Sequence, residues 1–178
     1  MGVQLRDATD ADAALLARLH ADSWRAAYRG IFRDQFLDHE ADAERLAHWR
    51  ERLSSADWRQ ILIAEDPDPA GFCAAYLDSA GRCDALIDNL HVRPNLRGRG
   101  LGPLLLGRMV ERLIAAGHRS MFLWVFTDNA PALRFYQSLG CTLEDPAEIE
   151  VFGSVTREAR CVWRDLPTLA NACRARVR

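Results

Sequence analysis

The stretch "HVRPNLRGRGLGPLLLGRMVERL", His91 to Leu113, joins a segment rich in glycine and arginine directly to an apolar helical pattern. Three glycines and three arginines lie between Arg93 and Gly102. Glycines let the backbone approach a ligand closely and adopt positive φ. The first amides of a helix are unpaired and carry the positive end of its dipole. A strand, a glycine turn and a helix N-terminus in this order therefore predict an anion site suited to a pyrophosphate.

Two common nucleotide signatures do not fit this turn. Gly98, Gly100 and Gly102 alternate, but Pro103 stands where the dinucleotide fingerprint needs its third glycine. No acidic residue ends the next strand, where a ribose partner is expected. No Gly-Lys-Ser/Thr follows, so a nucleotide P-loop is excluded as well. An anion site of another kind remains, and its alternative is a tight turn with solvated arginines.

On both sides of this stretch, apolar runs and helical patterns predict a mixed α/β chain. A mixed central sheet of about six to seven strands, flanked by about four helices, is expected in a single domain over residues 1–178. The predicted strands are Val3–Arg6, a hairpin of runs from Ile61 and Gly71 with "DPDPA" as its turn, Ala85–Val92, "MFLWVF" and a closing antiparallel pair. Four helices are predicted. The first begins after Thr9 or Asp10, the second runs from about Ala41 to Leu53, the third ends at about Ala116, and the fourth spans Asn129 to Leu139.

Composition narrows the class of protein. The formal net charge of −2 argues against a general nucleic-acid binder. No apolar run reaches membrane-spanning length, and the N-terminus has acids where a signal peptide needs a basic start. Five scattered cysteines without a CxxC pair indicate reduced thiols and no metal site. We therefore expect a cytoplasmic protein that binds neither nucleic acid nor membrane.

Two signatures give the chain a family resemblance. "RGRGLG", Arg97–Gly102, preceded by "LHVRP", and "NAPALRFYQSLGC", Asn129–Cys141, are similar to those of the GCN5-related N-acetyltransferase (GNAT) superfamily. The resemblance covers nearly the whole chain and implies the GNAT-type acyl-CoA N-acyltransferase fold, with acetyl-coenzyme A as donor. Many members form homodimers, and the sequence leaves open whether this chain does. In this family the pantetheine arm pairs with the strand that here ends at Val92. The resemblance assigns to the cofactor Leu90, His91, Val92, Arg97, Gly98, Arg99, Gly100, Leu101, Gly102, Asn129 and Tyr136.

Tyr136 is the candidate general acid. Acetyl transfer to an amine needs a deprotonated amine, a donor for the oxyanion and a proton for the departing thiolate. Tyr136 lies about two helical turns after Asn129, so both face the same way, and the family uses the matching tyrosine as the acid. Its alternative is a core position beside Phe135. Asn129 is predicted to cap the helix, to contact coenzyme A, or to do both.

Asp88 is the candidate general base, directly or through water. Alternation places it on one strand face with Leu86, Leu90 and Val92, and His91 on the opposite face. In the family this strand lies beside the thioester, and some members place a base on it at about this position. The alternative for Asp88 is a solvated or structural acid. The backbone N–H near Val92 is the expected oxyanion donor.

The acceptor is less specified by the sequence. Trp24 and Tyr28 stand at i and i+4 on the first helix. In the family that the chain resembles, the first two helices shape the acceptor pocket, so the resemblance implies that these rings line it; an aromatic pair at this spacing is otherwise a core feature. The expected acceptor is a primary amine of a small molecule or amino-acid derivative. A protein or peptide N-terminus, a non-catalytic acyl-CoA-binding module and a structural or partner-binding domain are the alternatives.

Overall fold

One seven-stranded sheet forms the centre of the computed structural model, which describes residues 2–57 and 59–177. Its strands are β1 (Gln4–Asp7), β2 (Arg59–Asp66), β3 (Asp68–Leu77), β4 (Ala85–Val92), β5 (Met121–Phe126), β6 (Thr142–Val151) and β7 (Ser154–Trp163). They lie in the order β1-β2-β3-β4-β5-β7-β6, and neighbours are antiparallel except for the parallel pair β4 and β5. The predicted mixed sheet is confirmed.

The described residues form five α-helices, which cover both faces of this sheet. They are α1 (Ala13–Ala27), α2 (Ala41–Ser54), α3 (Leu101–Ala115), α4 (Ala130–Ser138) and α5 (Leu166–Arg174). Successive residues of a strand point to opposite faces. Leu62 accordingly packs in the buried cluster under α3 and α5, and Ile63 packs in the cluster under α1 and α2.

The helix count differs from the sequence prediction, because α5 was not expected. Its buried residues Leu166, Leu169, Ala170 and Cys173 follow helical spacing, and Asp165 Oδ1 accepts a hydrogen bond from Thr168 N at 3.1 Å. The predicted "DPDPA" turn is also shorter than expected. Strand β3 begins at Asp68, which pairs with Asp66, so Pro67 alone separates the strands.

Strands β4 and β5 part after a short contact. In the described structure they pair only at Ala85 with Met121 and at Leu86 with Phe122. On its other side β4 contains a bulge, because Ile87 pairs with Ala75 and Asn89 pairs with Ala74, which leaves Asp88 unmatched. The parting opens the middle of the sheet, and the bulge changes which side chains face the opening.

Two features are absent from the described ranges, 2–57 and 59–177. No helix there is both long and apolar enough to cross a membrane. No group of three or more His, Cys, Asp and Glu side chains there is arranged to hold a metal ion.

Candidate active site

A cavity of about 650 Å³ lies where β4 and β5 part. One side of it, the donor side, is formed by the turn before α3 and by α4. The other side, the acceptor side, is formed by α1 and the exposed face of β5. Its lining includes Ser23, Ala27, Tyr28, Leu90, His91, Val92, Arg97, Gly98, Gly100, Gly102, Pro103, Trp124, Phe126, Asn129, Phe135, Tyr136 and Arg176. The opening therefore reaches from one face of the sheet to the other.

The glycine turn adopts the backbone that the sequence predicts for it. Gly98 has a φ of 78° and Gly100, the N-cap of α3, has a φ of 84°, a region that side chains with a Cβ rarely occupy. Leu104 N donates to Gly100 O at 3.0 Å, which starts the helix. The helix amides before Leu104 have no intrahelical acceptor, so this end of α3 offers N–H groups to an anion.

Not every residue assigned to the cofactor faces the cavity. Arg97 does, but its guanidinium turns toward α1 and donates to Ser23 Oγ at 3.1 Å and to Val92 O at 3.4 Å. Leu101 is buried in the core, and Arg99 is exposed without lining the cavity. The cofactor roles of these three residues stay predictions.

Asn129 and Tyr136 stand on the same wall of the cavity, from the start and the middle of α4. Asn129 Oδ1 accepts a hydrogen bond from Ala132 N at 3.3 Å, so the residue caps the helix and also reaches the cavity. Burial, followed by the nearby Tyr28 phenol, raises the pKa of Tyr136 well above its ordinary value. Its hydroxyl therefore stays protonated at working pH and is available as a hydrogen-bond donor.

The bulge corrects the predicted placement of Asp88. Alternation breaks there, so Leu90 and Val92 pack toward α3, whereas Asp88 lies on the face of α1 and α2, the face that His91 also occupies. Asn89 Nδ2 donates to Asp88 Oδ2 at 2.8 Å. Burial raises the pKa of Asp88, although water still reaches the residue. Asp88 does not line the cavity itself, and its role as base stays a prediction.

His91 is held against α1. Its Nδ1 lies 2.9 Å from Ser23 Oγ, and its ring packs against His20 in a tilted arrangement with centroids 4.3 Å apart. Burial, with Arg97 and Arg45 adding positive charge, lowers the pKa of His91 to about 3. The imidazole is therefore neutral at working pH.

The two predicted acceptor residues separate in the structure. Tyr28 lines the cavity, and burial raises the pKa of its phenol to about 12. Trp24 is 7% exposed, packs edge to face on Phe32, and carries the Arg45 guanidinium 4.2 Å from the centre of its ring. It belongs to the aromatic core behind Tyr28 and does not line the cavity.

Several lining residues, among them Ser23, Trp124, Phe126 and Arg176, were not found from the sequence. Ser23 sits inside a helix, where serine carries no signal of function. Trp124 is 38% exposed, although its strand is a continuous apolar run, a pattern that predicts burial on both faces. Phe126 ends that strand, and Arg176 follows α5, which was not predicted. The exposed Trp124 gives the acceptor side an aromatic wall.

Comparison with known proteins agrees with this geometry. Residues 20–141 match the acetyltransferase (GNAT) family. The chain is 26% identical over 171 residues to the uncharacterized N-acetyltransferase YuaI of Bacillus subtilis (strain 168), covering 94% of this chain and 96% of that protein. It is 27% identical over 142 residues to the L-amino acid N-acyltransferase MnaT of Escherichia coli (strain K12), covering 78% of each.

A solved structure has the same fold. The PaiA N-acetyltransferase of Thermoplasma acidophilum, crystallised in complex with coenzyme A, superposes with a TM-score of 0.70 at 20% identity. The match covers 90% of this chain and 99% of that one. At this identity the likeness establishes the fold, and the assignment of individual site residues stays a prediction.

Proposed function

The chain belongs to the acetyltransferase (GNAT) family, and on that premise we propose that it moves the acetyl group of acetyl-coenzyme A directly onto a primary amine of a small molecule or amino-acid derivative. Family membership makes the chain an acyltransferase. The single observation that carries the finer proposal is the cavity through the parted strands, because it lets a donor on one face meet an acceptor from the other.

The donor side has the features that a coenzyme A thioester needs. The Gly98–Gly102 turn offers backbone amides and the positive end of α3 to the pyrophosphate. Beyond Leu86, β4 has backbone groups that no β5 residue pairs with in the described structure, and a pantetheine arm carries amides that match them. Tyr136 and Asn129 close this side from α4.

The proposed reaction is direct transfer through a tetrahedral intermediate. The neutral amine attacks the thioester carbon, so an N–C bond forms and the C–S bond then breaks. The proton leaving nitrogen passes to a base, for which Asp88 or a water molecule held by it is the candidate. The Tyr136 phenol, which its raised pKa keeps protonated, donates a hydrogen bond to the departing coenzyme A thiolate and then passes it the proton. The proton taken from the amine returns through solvent from the base to the phenolate, so the enzyme regains its starting state.

A small acceptor fits the acceptor side best. On the acceptor side the cavity wall consists of the Tyr28 and Phe126 rings and the exposed Trp124 indole. Rings of this kind contact a compact amine or its ammonium form. The relative MnaT, named for its action on L-amino acids, favours an amino-acid derivative. A peptide N-terminus is the second candidate, since the sheet opens to solvent beside Trp124.

The test is an amine panel with acetyl-coenzyme A as donor. It contains L-amino acids, spermidine, an aromatic amine and a short peptide with a free N-terminus, and both free thiol and acetylated product are measured. We expect thiol release with at least one small amine, matched by product on mass spectrometry. Turnover of the peptide alone would move the proposal to N-terminal acetylation. Calorimetric binding of acetyl-coenzyme A without any product would indicate a non-catalytic module.

A further inference from the structure

A chain of hydrogen bonds on the acceptor side joins three residues that lie far apart in sequence. Arg97 donates to Ser23 Oγ at 3.1 Å, and the same oxygen lies 2.9 Å from His91 Nδ1. Ser23 is 2% exposed, yet its side chain and that of His91 both border the cavity. The serine hydroxyl is thus the link between the turn before α3 and the last part of β4.

The direction of these bonds follows from the donors. A guanidinium can only donate, so Ser23 Oγ accepts from Arg97. A hydroxyl oxygen can accept twice, so Ser23 Oγ either accepts from His91 Nδ1 as well or gives that nitrogen its one proton; only the second arrangement gives the proton a partner among the described residues. A neutral imidazole that accepts at Nδ1 carries its own proton on Nε2. In this arrangement Ser23 sets the tautomer of His91.

The imidazole ring is also fixed in place. The His20 ring packs against it in a tilted arrangement with centroids 4.3 Å apart, and the Phe72 ring lies 5.3 Å away. His20 is itself oriented, because Trp49 Nε1 donates to its Nδ1 at 3.2 Å. Burial, followed by the positive charge of Arg97 and Arg45, lowers the pKa of His91 and keeps a further proton off the ring. A side chain held this firmly acts without reorganisation cost when charge develops beside it.

We propose that His91 uses its Nε2–H as a hydrogen-bond donor to the thioester carbonyl oxygen, and that Ser23 is the positioning residue that sets this tautomer. The inference rests on the proposed acetyl transfer, since the oxygen is that of the donor thioester. It gives His91 a role different from that of a base, because in this tautomer neither nitrogen is free to take a proton from the amine. It also adds a side-chain donor to the backbone N–H expected near Val92.

The first experiment is independent of turnover. Nitrogen-15 NMR of labelled histidine in the full chain reports which ring nitrogen of His91 carries the proton. We expect the Nε2–H tautomer in the parent protein and a mixture of tautomers in Ser23→Ala. An Nδ1–H tautomer or an imidazolium in the parent at pH 7 overturns the inference, whatever the amine panel returns.

The second experiment measures kcat on the panel amine with the highest kcat/KM. His91→Gln retains an N–H donor near the Nε2 position, whereas His91→Phe retains ring volume without a donor. We expect His91→Phe to lower kcat by about 10²–10³-fold and His91→Gln to stay within about tenfold of the parent with an unchanged pH profile. Equal loss in both variants overturns the donor role of His91.

A double-variant cycle separates positioning from packing. Ser23→Ala alone should lower kcat by about tenfold and leave the KM for acetyl-coenzyme A unchanged. In the His91→Gln background the same change should cost less than about twofold, since a glutamine has no tautomer to set. Additive effects in the two backgrounds would show that Ser23 only packs, and this would overturn its positioning role.

Discussion

The two sides of the cavity are built from different materials. The donor side consists mostly of backbone: a turn with two glycines at positive φ and the free amides of α3. The acceptor side consists of side chains from α1 and β5 that approach only in the folded chain, such as Ser23, Tyr28 and Trp124. A backbone site leaves a local signature in the sequence, and a side-chain site does not. This difference explains why a cofactor class could be predicted while an acceptor could not.

The largest expected effect tests Tyr136, the candidate acid on the donor side. Tyr136→Phe removes only the hydroxyl, so kcat should fall by about 10²–10⁴-fold while folding and donor affinity remain. Tyr28→Phe is the matched comparison from the opposite wall, and it should change the acceptor KM more than kcat. Steady-state kinetics on the amine found by the panel measures both. An unchanged kcat in Tyr136→Phe would reduce this tyrosine to a packing residue.

Gly100→Val tests whether the donor side depends on backbone. A β-branched residue at a φ of 84° is strained by about 1–3 kcal/mol and blocks close approach, so affinity for acetyl-coenzyme A should fall by about 100-fold. Gly117→Val is the control, because Gly117 has a φ of 90° at the far end of α3, away from the cavity. Both variants should melt earlier, but calorimetry should find weaker binding only in Gly100→Val. Parental affinity in Gly100→Val would remove the turn from the donor site.

Asp88→Asn tests the base, where the two sides meet. A base that deprotonates the amine makes kcat/KM rise with pH, and its loss should lower the rate by about tenfold and shift the rise toward the acceptor's own pKa. If Asp88 only attracts an ammonium, KM should rise more than kcat falls. Rate profiles against pH for both proteins distinguish these results. Parameters within about twofold of the parent would place the base elsewhere.

The smallest effect concerns the anchoring of α1, which carries the acceptor side. Arg6, and secondarily Thr9, lower the pKa of Asp12 to about 2, so this carboxylate stabilises the fold when ionised. Asp12→Asn should cost about 1–2 kcal/mol at pH 7, and the difference from the parent should disappear as pH falls from about 4 to below 2. Denaturant melts across this range measure it, with Asp66→Asn, an exposed carboxylate of β2, as control. A difference that is as large at pH 2 as at pH 7 would contradict the ion pair.

Much of the fold could be predicted because its signals are local. The bounds of β4 agree residue for residue with the apolar run Ala85–Val92, and α2 differs by one residue at its end. Helix α5 was missed although Leu166, Leu169 and Cys173 have helical spacing. It begins only three residues after β7 ends at Trp163, and the predicted final strand extends into it.

The side of Asp88 could not be predicted in the same way. A bulge depends on how a neighbouring strand pairs, and this pairing is absent from the local pattern of apolar and polar residues. Ser23 was missed for a related reason. Its proposed role depends on contacts with His91 and Arg97, which lie 68 and 74 positions further along the chain.

The parting of β4 and β5 also bears on aggregation. Unpaired strand edges invite other chains to add to a sheet, and proteins commonly protect them with charge or cover. The outer edge strand β6 follows this rule, with the exposed carboxylates of Glu148 and Glu150 along it. The inner edges created by the parting border a cavity, and a slender ligand bearing amides, such as the proposed pantetheine arm, can pair with their backbone groups. We therefore expect a bound donor to cover at the inner edge what exposed charge protects at the outer one.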